Sequence, residues 1–289
     1  MNQPGMATPR SDGVLLIDKP AGVSSHDVVG MVRRARGGVR AGHTGTLDPF
    51  ATGLLVVALG RATRLIRFLP PEPKVYQASI VFGTATDSDD ATGHVVDRGP
   101  LPDESLVREA IRKLTGVIDQ VPPAYSARHV DGRRAYAIAR EGGEPALAPA
   151  TVTVQGWEVE SFRDGTMAAT ITCSSGTYIR ALARDLGRLC GTVAHLASLR
   201  RTRIGPFEVT AAVPPTAAAD AAVIASADAL VGMTRQVVIG DEVDHVNHGR
   251  PVAAREEGSS AALVDQSGDL VAVAERDGEW WQPRVVISG

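Results

Sequence analysis

Asp48 is the residue of this chain whose type and setting best suit covalent chemistry. It stands in Gly42-His43-Thr44-Gly45-Thr46-Leu47-Asp48-Pro49-Phe50-Ala51-Thr52-Gly53, where proline fixes the next φ and the glycines let backbone approach a ligand. An aspartate held at the tip of such a loop can act as a nucleophile on a glycosidic carbon. No second carboxylate lies in the segment, so the paired-carboxylate mechanism of glycosidases is not indicated locally. Taken alone, an Asp-Pro is also a common turn or helix cap. His43 with Asp48 would suit a metal-assisted hydrolase, but the other histidines are scattered without ligand spacing.

Two further residues offer complementary chemistry. Arg180, in Ser174-Ser175-Gly176-Thr177-Tyr178-Ile179-Arg180-Ala181-Leu182-Ala183-Arg184-Asp185-Leu186-Gly187, brings a guanidinium fork, which favours the ionised form of a neighbouring carboxylate. By itself it reads as a surface residue at a helix start. Tyr76, in Lys74-Val75-Tyr76, has a flat stacking face and a hydroxyl, and by itself reads as a half-buried strand tyrosine. The chain has no P-loop and no dinucleotide glycine fingerprint. Cys173 and Cys190, its two cysteines, lack paired spacing, which fits two reduced, buried thiols rather than a zinc site or disulfide framework.

The elements that must carry these residues follow from local pattern. Val14-Leu15-Leu16-Ile17-Asp18 reads as a short buried strand and Lys19-Pro20-Ala21-Gly22 as a turn. Ser24 or Ser25 caps a helix with Val28, Val29 and Val32 on one face, Arg33, Arg34 and Arg36 in its last turn, and Gly37-Gly38 as its stop. Leu54 to Leu59 and Val75 to Phe82 read as strands, the second closed by Gly83 and an acidic turn, Asp87 to Asp90. Asp103 caps a helix through Ile111 and Leu114 that Gly116 ends. Residues 117–150 hold Pro122-Pro123, Gly142-Gly143 and a short amphipathic piece, Arg133 to Arg140, as expected of an inserted, exposed arm with a small helix. Val152 to Phe162 and Met167 to Cys173 form a hairpin across Asp164-Gly165, before a helix from about Tyr178 to Leu189. Residues 216–230 are alanine-rich and helical in propensity, and short β-rich runs follow Gln236. The expected domains are 1–235 and 236–289.

A chain of 289 residues exceeds what one core usually organises, and 44% hydrophobic with 22% charged residues is ordinary for a soluble globular protein. No apolar run is long enough for a secretory or membrane segment, so a cytoplasmic location without membrane partner is expected. The formal net charge of −3 conceals an asymmetry. Residues 1–210 carry 25 Lys and Arg against 21 Asp and Glu, while residues 211–289 carry 5 against 12. Lys19, Lys74 and Lys113 are the only lysines, and guanidinium forks suit phosphate and base stacking. Arginines recur beside the chemistry-bearing segments: Arg33, Arg34, Arg36 and Arg40 before the Asp48 loop, Arg61, Arg64 and Arg67 after it, Arg128, Arg133 and Arg134 in the arm, and Arg200, Arg201 and Arg203 later. Such a rim would suit folded RNA. Arg184 and Arg188, at helical spacing from Arg180, face RNA or merely solvent.

The Asp48 loop, continuing through Leu54-Leu55-Val56-Val57-Ala58-Leu59-Gly60-Arg61-Ala62-Thr63-Arg64-Leu65, resembles the signature loop of the TruB family of tRNA pseudouridine synthases. The Arg180 segment resembles a second motif of that family. Lys19-Pro20-Ala21-Gly22-Val23-Ser24-Ser25, Lys74-Val75-Tyr76 and the Leu199-Arg200-Arg201-Thr202-Arg203 run are similar to three others, so the resemblance covers most of residues 13–210 in the family's order. It implies an α+β pseudouridine synthase fold, with a central, largely antiparallel mixed sheet flanked by helices. The last segment, with His248-Gly249-Arg250-Pro251 and Trp280-Trp281-Gln282-Pro283, looks like a short, acidic PUA domain that either contacts RNA or has a docking role.

The activity so implied is conversion of uridine 55 in the T-loop of tRNA to pseudouridine by a monomer, with no cofactor and no metal. The bond from C1′ to N1 breaks and C1′ joins C5, so only a proton is relocated. In the family pattern Asp48 is the nucleophile, either adding to C1′ or acting through a glycal, Arg180 pairs with its carboxylate, and Tyr76 stacks on the base and assists proton removal. The uridine must be flipped out of the folded RNA. On the substrate side His43 supports the flipped state, Tyr178 and Leu199 line the uracil site, and Lys19 belongs to a motif that is partly structural support. The arm closes over the T-loop. A tRNA-folding chaperone is the alternative from a non-enzyme class.

Overall fold

The computed structural model describes residues 12–287 apart from positions 127, 131, 132, 135, 137, 139, 140, 142, 144 and 145. The chain forms two compact units. The first holds the chain through Asp48, Leu54–Pro70 and the chain from Val209 onward; the second holds Pro49–Gly53 and Pro71–Glu208.

The first unit opens with β1 (Gly13–Lys19), almost wholly buried, and α1 (Ser25–Ala35). Ser24 caps α1 with a reciprocal pair: its hydroxyl accepts from Asp27 N at 3.1 Å while its own N–H donates to the Asp27 carboxylate at 3.1 Å. β2 (Ala41–Thr44) then pairs antiparallel with β3 (Thr52–Leu59), whose first two residues belong to the second unit. Leu15 and Ile17 of β1, Val28 and Val32 of α1, and Leu55, Val57 and Leu59 of β3 make one core.

The second unit is built on β4 (Lys74–Phe82), followed by β5 (Thr84–Thr86) and β6 (Val95–Arg98), α2 (Glu104–Lys113) and β7 (Gly116–Gln120). β8 (His129–Val130) and β9 (Arg133–Arg134) pair with each other. β10 (Ala150–Arg163), β11 (Thr166–Cys173), α3 (Ile179–Leu189), β12 (Ala194–Ile204) and β13 (Phe207–Glu208) complete it. The strand order is β12-β4-β11-β10-β7 with antiparallel neighbours, and Thr52 and Gly53 run parallel beside Arg200 and Arg201. The period-2 pattern of β4 buries Lys74, Tyr76, Ala78, Ile80 and Phe82 on one face. Asp164 and Gly165, both at positive φ, form the tight β10–β11 turn.

Three expectations need revision. Both ends of the stretch expected as an arm are strand, Gly116–Gln120 pairing with Ala150–Val154, so the loop proper is 121–149; of the small helix expected at Arg133 to Arg140, Arg133–Arg134 is the strand β9 and positions 135, 137, 139 and 140 lie outside the described residues. The alanine-rich stretch 216–230 is not one helix: it has a 3-10 turn at Pro215–Ala217 and α4 (Ser226–Ala229). Its backbone is claimed elsewhere, since Ile224 exchanges hydrogen bonds with Val14 and Arg36 donates to the carbonyls of Ala218 and Ala221; tertiary partners override propensity. Cys173 is buried as expected, whereas Cys190 is half-buried.

The rest of the first unit is β-rich. β14 (Thr234–Val237), α5 (Asp241–Asn247), β15 (Val252–Ala253), β16 (Ser260–Val264), β17 (Leu270–Asp277) and β18 (Trp280–Val286) form a sheet of order β14-β16-β17-β18-β15 with α5 beside it. It has its own core around Val238, Val246, Leu263 and Trp281. The buried Trp281 indole N–H donates to Gln236 Oε1 at 2.8 Å, which satisfies the one polar group of that ring.

Candidate functional site

The loop bearing Asp48 is held from its preceding residue. Ser25, in the first turn of α1, donates through its hydroxyl to Leu47 O at 3.0 Å and accepts from Leu47 N at 2.9 Å, with both residues buried. The two serines thus divide the work: Ser24 caps the helix and Ser25 fixes the backbone just before Asp48. Asp48 and His43 are half-buried, and His43 lies in β2 opposite Val57. Lys19 is fully buried and its ammonium donates to Pro20 O at 2.9 Å and Val23 O at 2.7 Å. It therefore closes the turn that leads into α1.

In the second unit Tyr76, buried in β4, lies between Arg201 of β12 and Ile171 of β11. Leu199 is opposite Ala78, two residues along the same buried face, so Leu199 and Tyr76 are diagonal neighbours. Lys74 and the fully buried Arg201 share this face. Burial and then the positive charge of Arg201 depress the Lys74 pKa, and its ammonium donates to Ser175 Oγ at 3.2 Å. Cys173 stands opposite Lys74, and burial pushes its thiol up to about 11.

Tyr178 and Arg180 enter at the start of α3. The side chain of Gln120 accepts from Tyr178 N at 2.8 Å and donates to Tyr178 O at 3.1 Å, fastening the end of β7 to the helix start. Arg180 is only 4% exposed. Its guanidinium donates to Ser88 O at 3.0 Å and Tyr125 O at 2.8 Å and is 3.5 Å from the Asp90 carboxylate. Asp90 is as deeply buried, and accepts from Ser88 Oγ at 2.9 Å, Thr92 N at 3.0 Å and Thr92 Oγ1 at 2.6 Å. Such a carboxylate is an acceptor with its lone pairs engaged, able to fix a guanidinium in one orientation.

Sequence reading took Asp87 to Asp90 only as a turn and so missed Asp90 and, at the arm's root, Gln120. The signal available was an acidic cluster closing the strand that bears Tyr76. Arg184 also differs from expectation: its side chain is 15% exposed and paired with Asp89 at 3.0 Å and Asp185 at 3.0 Å, whereas Arg188 is largely exposed. Several arginines of the expected rim have partners within the chain. Arg64 donates to Val286 O at 2.6 Å, Arg67 lies over the Phe68 ring at 4.6 Å, and Arg203 donates to Gly205 O at 2.8 Å. Among the described residues no cluster of His, Cys, Asp or Glu could hold a metal ion, and no helix is long and apolar enough to cross a membrane.

The family model for the TruB family pseudouridylate synthase (N terminal domain) matches residues 33–179, and that for the tRNA pseudouridylate synthase B C-terminal domain matches residues 180–238. A tRNA pseudouridine synthase B of Thermobifida fusca (strain YX) is 45% identical over 300 residues, taking in 96% of this chain and 99% of that protein. Another, of Cutibacterium acnes, is 43% identical over 279 residues, with 92% and 94% covered. Among solved structures, a chain of a Cbf5-Nop10-Gar1 complex is similar with a TM-score of 0.73 and 25% identity, covering 96% of this chain and 85% of that one. A chain of an H/ACA RNP bound to a substrate RNA containing 2′-deoxyuridine is similar in fold, with a TM-score of 0.72, 24% identity and the same coverage.

Proposed function

Because the chain belongs to the TruB family of pseudouridylate synthases, an isomerase family acting on tRNA, we propose that it converts uridine 55 of the T-loop to pseudouridine. Asp48 carries the nucleophilic carboxylate, Arg180 the positive charge of the reaction, and Tyr76 the stacking face and proton relay. His43, Tyr178 and Leu199 meet the flipped nucleotide, and Lys19 braces the turn that leads into α1. The catalytic part spans residues 1–235, the 121–149 arm meets the T-arm, and residues 236–289 form a PUA-like domain. The enzyme works as a cytoplasmic monomer.

The reaction starts at the bond from C1′ to N1, whose electron pair leaves with N1 once the Asp48 carboxylate acts. The detached base turns over and C5 bonds to C1′ through its π electrons. The C5 proton then departs with help from Tyr76, and N1 takes up a proton. Atoms balance without an oxidant, reductant or activated donor.

One observation carries this reading: the two hydrogen bonds between Ser25 and Leu47, which hold the backbone next to Asp48 in one conformation. A carboxylate whose approach is fixed before substrate arrives loses little entropy in reaching the transition state. The test is a T-loop transcript assayed for pseudouridine by mass spectrometry. Asp48→Asn is expected to give none while tRNA affinity changes little; product at the wild-type rate would end the assignment. Product elsewhere than position 55 would end the positional reading. The exposed Arg33, Arg34 and Arg40 favour a second role as a tRNA-folding chaperone, in which Asp48→Asn still promotes folding of the transcript.

A further inference from the structure

We propose that Arg184 is a positioning residue for this reaction, holding the Asp89 turn and the root of the arm so that the guanidinium of Arg180 keeps its partners. The inference rests on the reading that Arg180 serves the reaction.

α3 places Arg180 and Arg184 one turn apart, on the same side of the helix. The two guanidinium groups grip the same two segments. At the turn, Arg180 takes the carbonyl of Ser88 and the carboxylate of Asp90, and Arg184 takes the carboxylate of Asp89 between them at 3.0 Å. At the arm, Arg180 donates to Tyr125 O and Arg184 donates to Val121 O, each at 2.8 Å. Asp185 accepts from Arg184 Nε at 3.0 Å and so orients the fork.

Asp89 is the point on which this arrangement turns. Its φ of 61° lies in the left-handed region that few side chains occupy, and it separates the two residues that serve Arg180, so a relaxation of its backbone displaces both. Leu196 holds the Asp89 carbonyl at 3.0 Å; the side chain is held by Arg184. Burial raises the Asp89 pKa, opposed by Arg184 first and then by Arg180 and Arg188. With Arg184 gone, the strongest remaining positive influence on an ionised Asp89 is Arg180, for which it then competes with Asp90.

The test measures pseudouridine formation by Arg184→Gln from acidic pH upward. The expected result is a fall in kcat of about tenfold or more with KM for tRNA within about twofold, deepening as pH rises because Asp89 then ionises unpaired. Asp89→Asn in the Arg184→Gln background should recover most of kcat and flatten the profile, since it removes that charge. Wild-type kcat in Arg184→Gln overturns the inference, as does a loss confined to KM, or a loss that Asp89→Asn fails to recover. Should Arg184→Gln not fold, Arg184→Lys decides: it keeps the charge at Asp89 without the fork that also reaches Val121, so reduced kcat with a normal pH profile supports the inference and unchanged kcat overturns it. Arg180→Lys is measured alongside. Full activity there sinks the reading of Arg180, whereas an inactive Arg180→Lys beside a normal Arg184→Gln sinks this inference alone.

Discussion

A Cβ on Gly53 would lie 2.2 Å from the carbonyl oxygen of Arg201 and 2.8 Å from its nitrogen, so the start of β3 meets β12 with no space for a side chain. The φ of Gly53, +101°, is also one that other residues rarely adopt. Gly53→Ala therefore faces both a clash and strain, while Gly176→Ala, at φ +87° with nothing within 4 Å, faces strain alone. Gly176→Ala should cost about 1–2 kcal/mol, and Gly53→Ala more, with loss of product because Gly53 ends the Asp48 loop. Thermal unfolding of the two variants checks this: equal destabilisation would refute the packing argument.

Ser25 and Ser24 make a second contrast. Ser25→Ala removes both partners of Leu47 in a buried setting, leaving an N–H and a carbonyl unsatisfied at about 1–3 kcal/mol each. Its expected signature is a lower kcat with tRNA affinity unchanged. Ser24→Ala loses only a cap, worth about 1 kcal/mol, and should keep kcat. Steady-state kinetics on both, at a temperature where both are folded, separates them; equal kcat would mean that the hold on Leu47 does not matter for turnover.

The contrast also marks what the chain discloses locally. The serine cap before an apolar helix face, Asp164-Gly165 between two β-rich runs, and the alternation of β4 all act within a few residues, and each was legible; the hold of Ser25 on Leu47, 22 positions on, was not. One acidic partner of Arg180 was not: Asp90 lies 90 positions earlier in the chain, and nothing in an acidic turn announces that its last aspartate is buried. The alanine-rich stretch after Pro215 misled for the converse reason, since its helical propensity is outweighed by hydrogen bonds to Val14 and Arg36. Arginine is the hardest residue to place from sequence. Arg184 and Arg188 look alike in the helix pattern, yet one is a half-buried clamp and the other is exposed.

Alkaline stability should respond to Cys173. Burial lifts its thiol from 9.0 to about 11, so between these values the native state keeps a proton that the unfolded state has lost. The stabilisation is complete below 9.0 and disappears as pH rises to about 11, a difference on the order of 3 kcal/mol. Lys74 acts in the opposite sense, because its depressed pKa means that the native state holds fewer protons and gains stability as pH rises towards 10.5. In Cys173→Ala the alkaline fall in melting temperature should be reduced, whatever the cavity does to the absolute value. Parallel pH profiles for the two proteins would show that the thiol does not titrate as its burial demands.

Arg36 and its neighbours Arg33 and Arg34 should separate in salt dependence. Arg36 donates through Nε to Ala218 O at 2.6 Å and through Nη2 to Ala221 O, and its remaining Nη1 is buried, so no part of the guanidinium is available to a phosphate. Arg33 and Arg34 are exposed in the last turn of the same helix. Each phosphate contact releases counterions and steepens the fall of log affinity with log salt. Arg33→Ala or Arg34→Ala should flatten that slope for tRNA by up to about 1 with little effect on stability. Arg36→Ala should leave the slope intact and destabilise the protein by roughly 3 kcal/mol, since two charge-assisted hydrogen bonds are lost. Filter-binding titrations at several salt concentrations, paired with thermal unfolding, decide the matter. A flattened slope in Arg36→Ala with unchanged melting would reverse the assignment and place Arg36 on the RNA side.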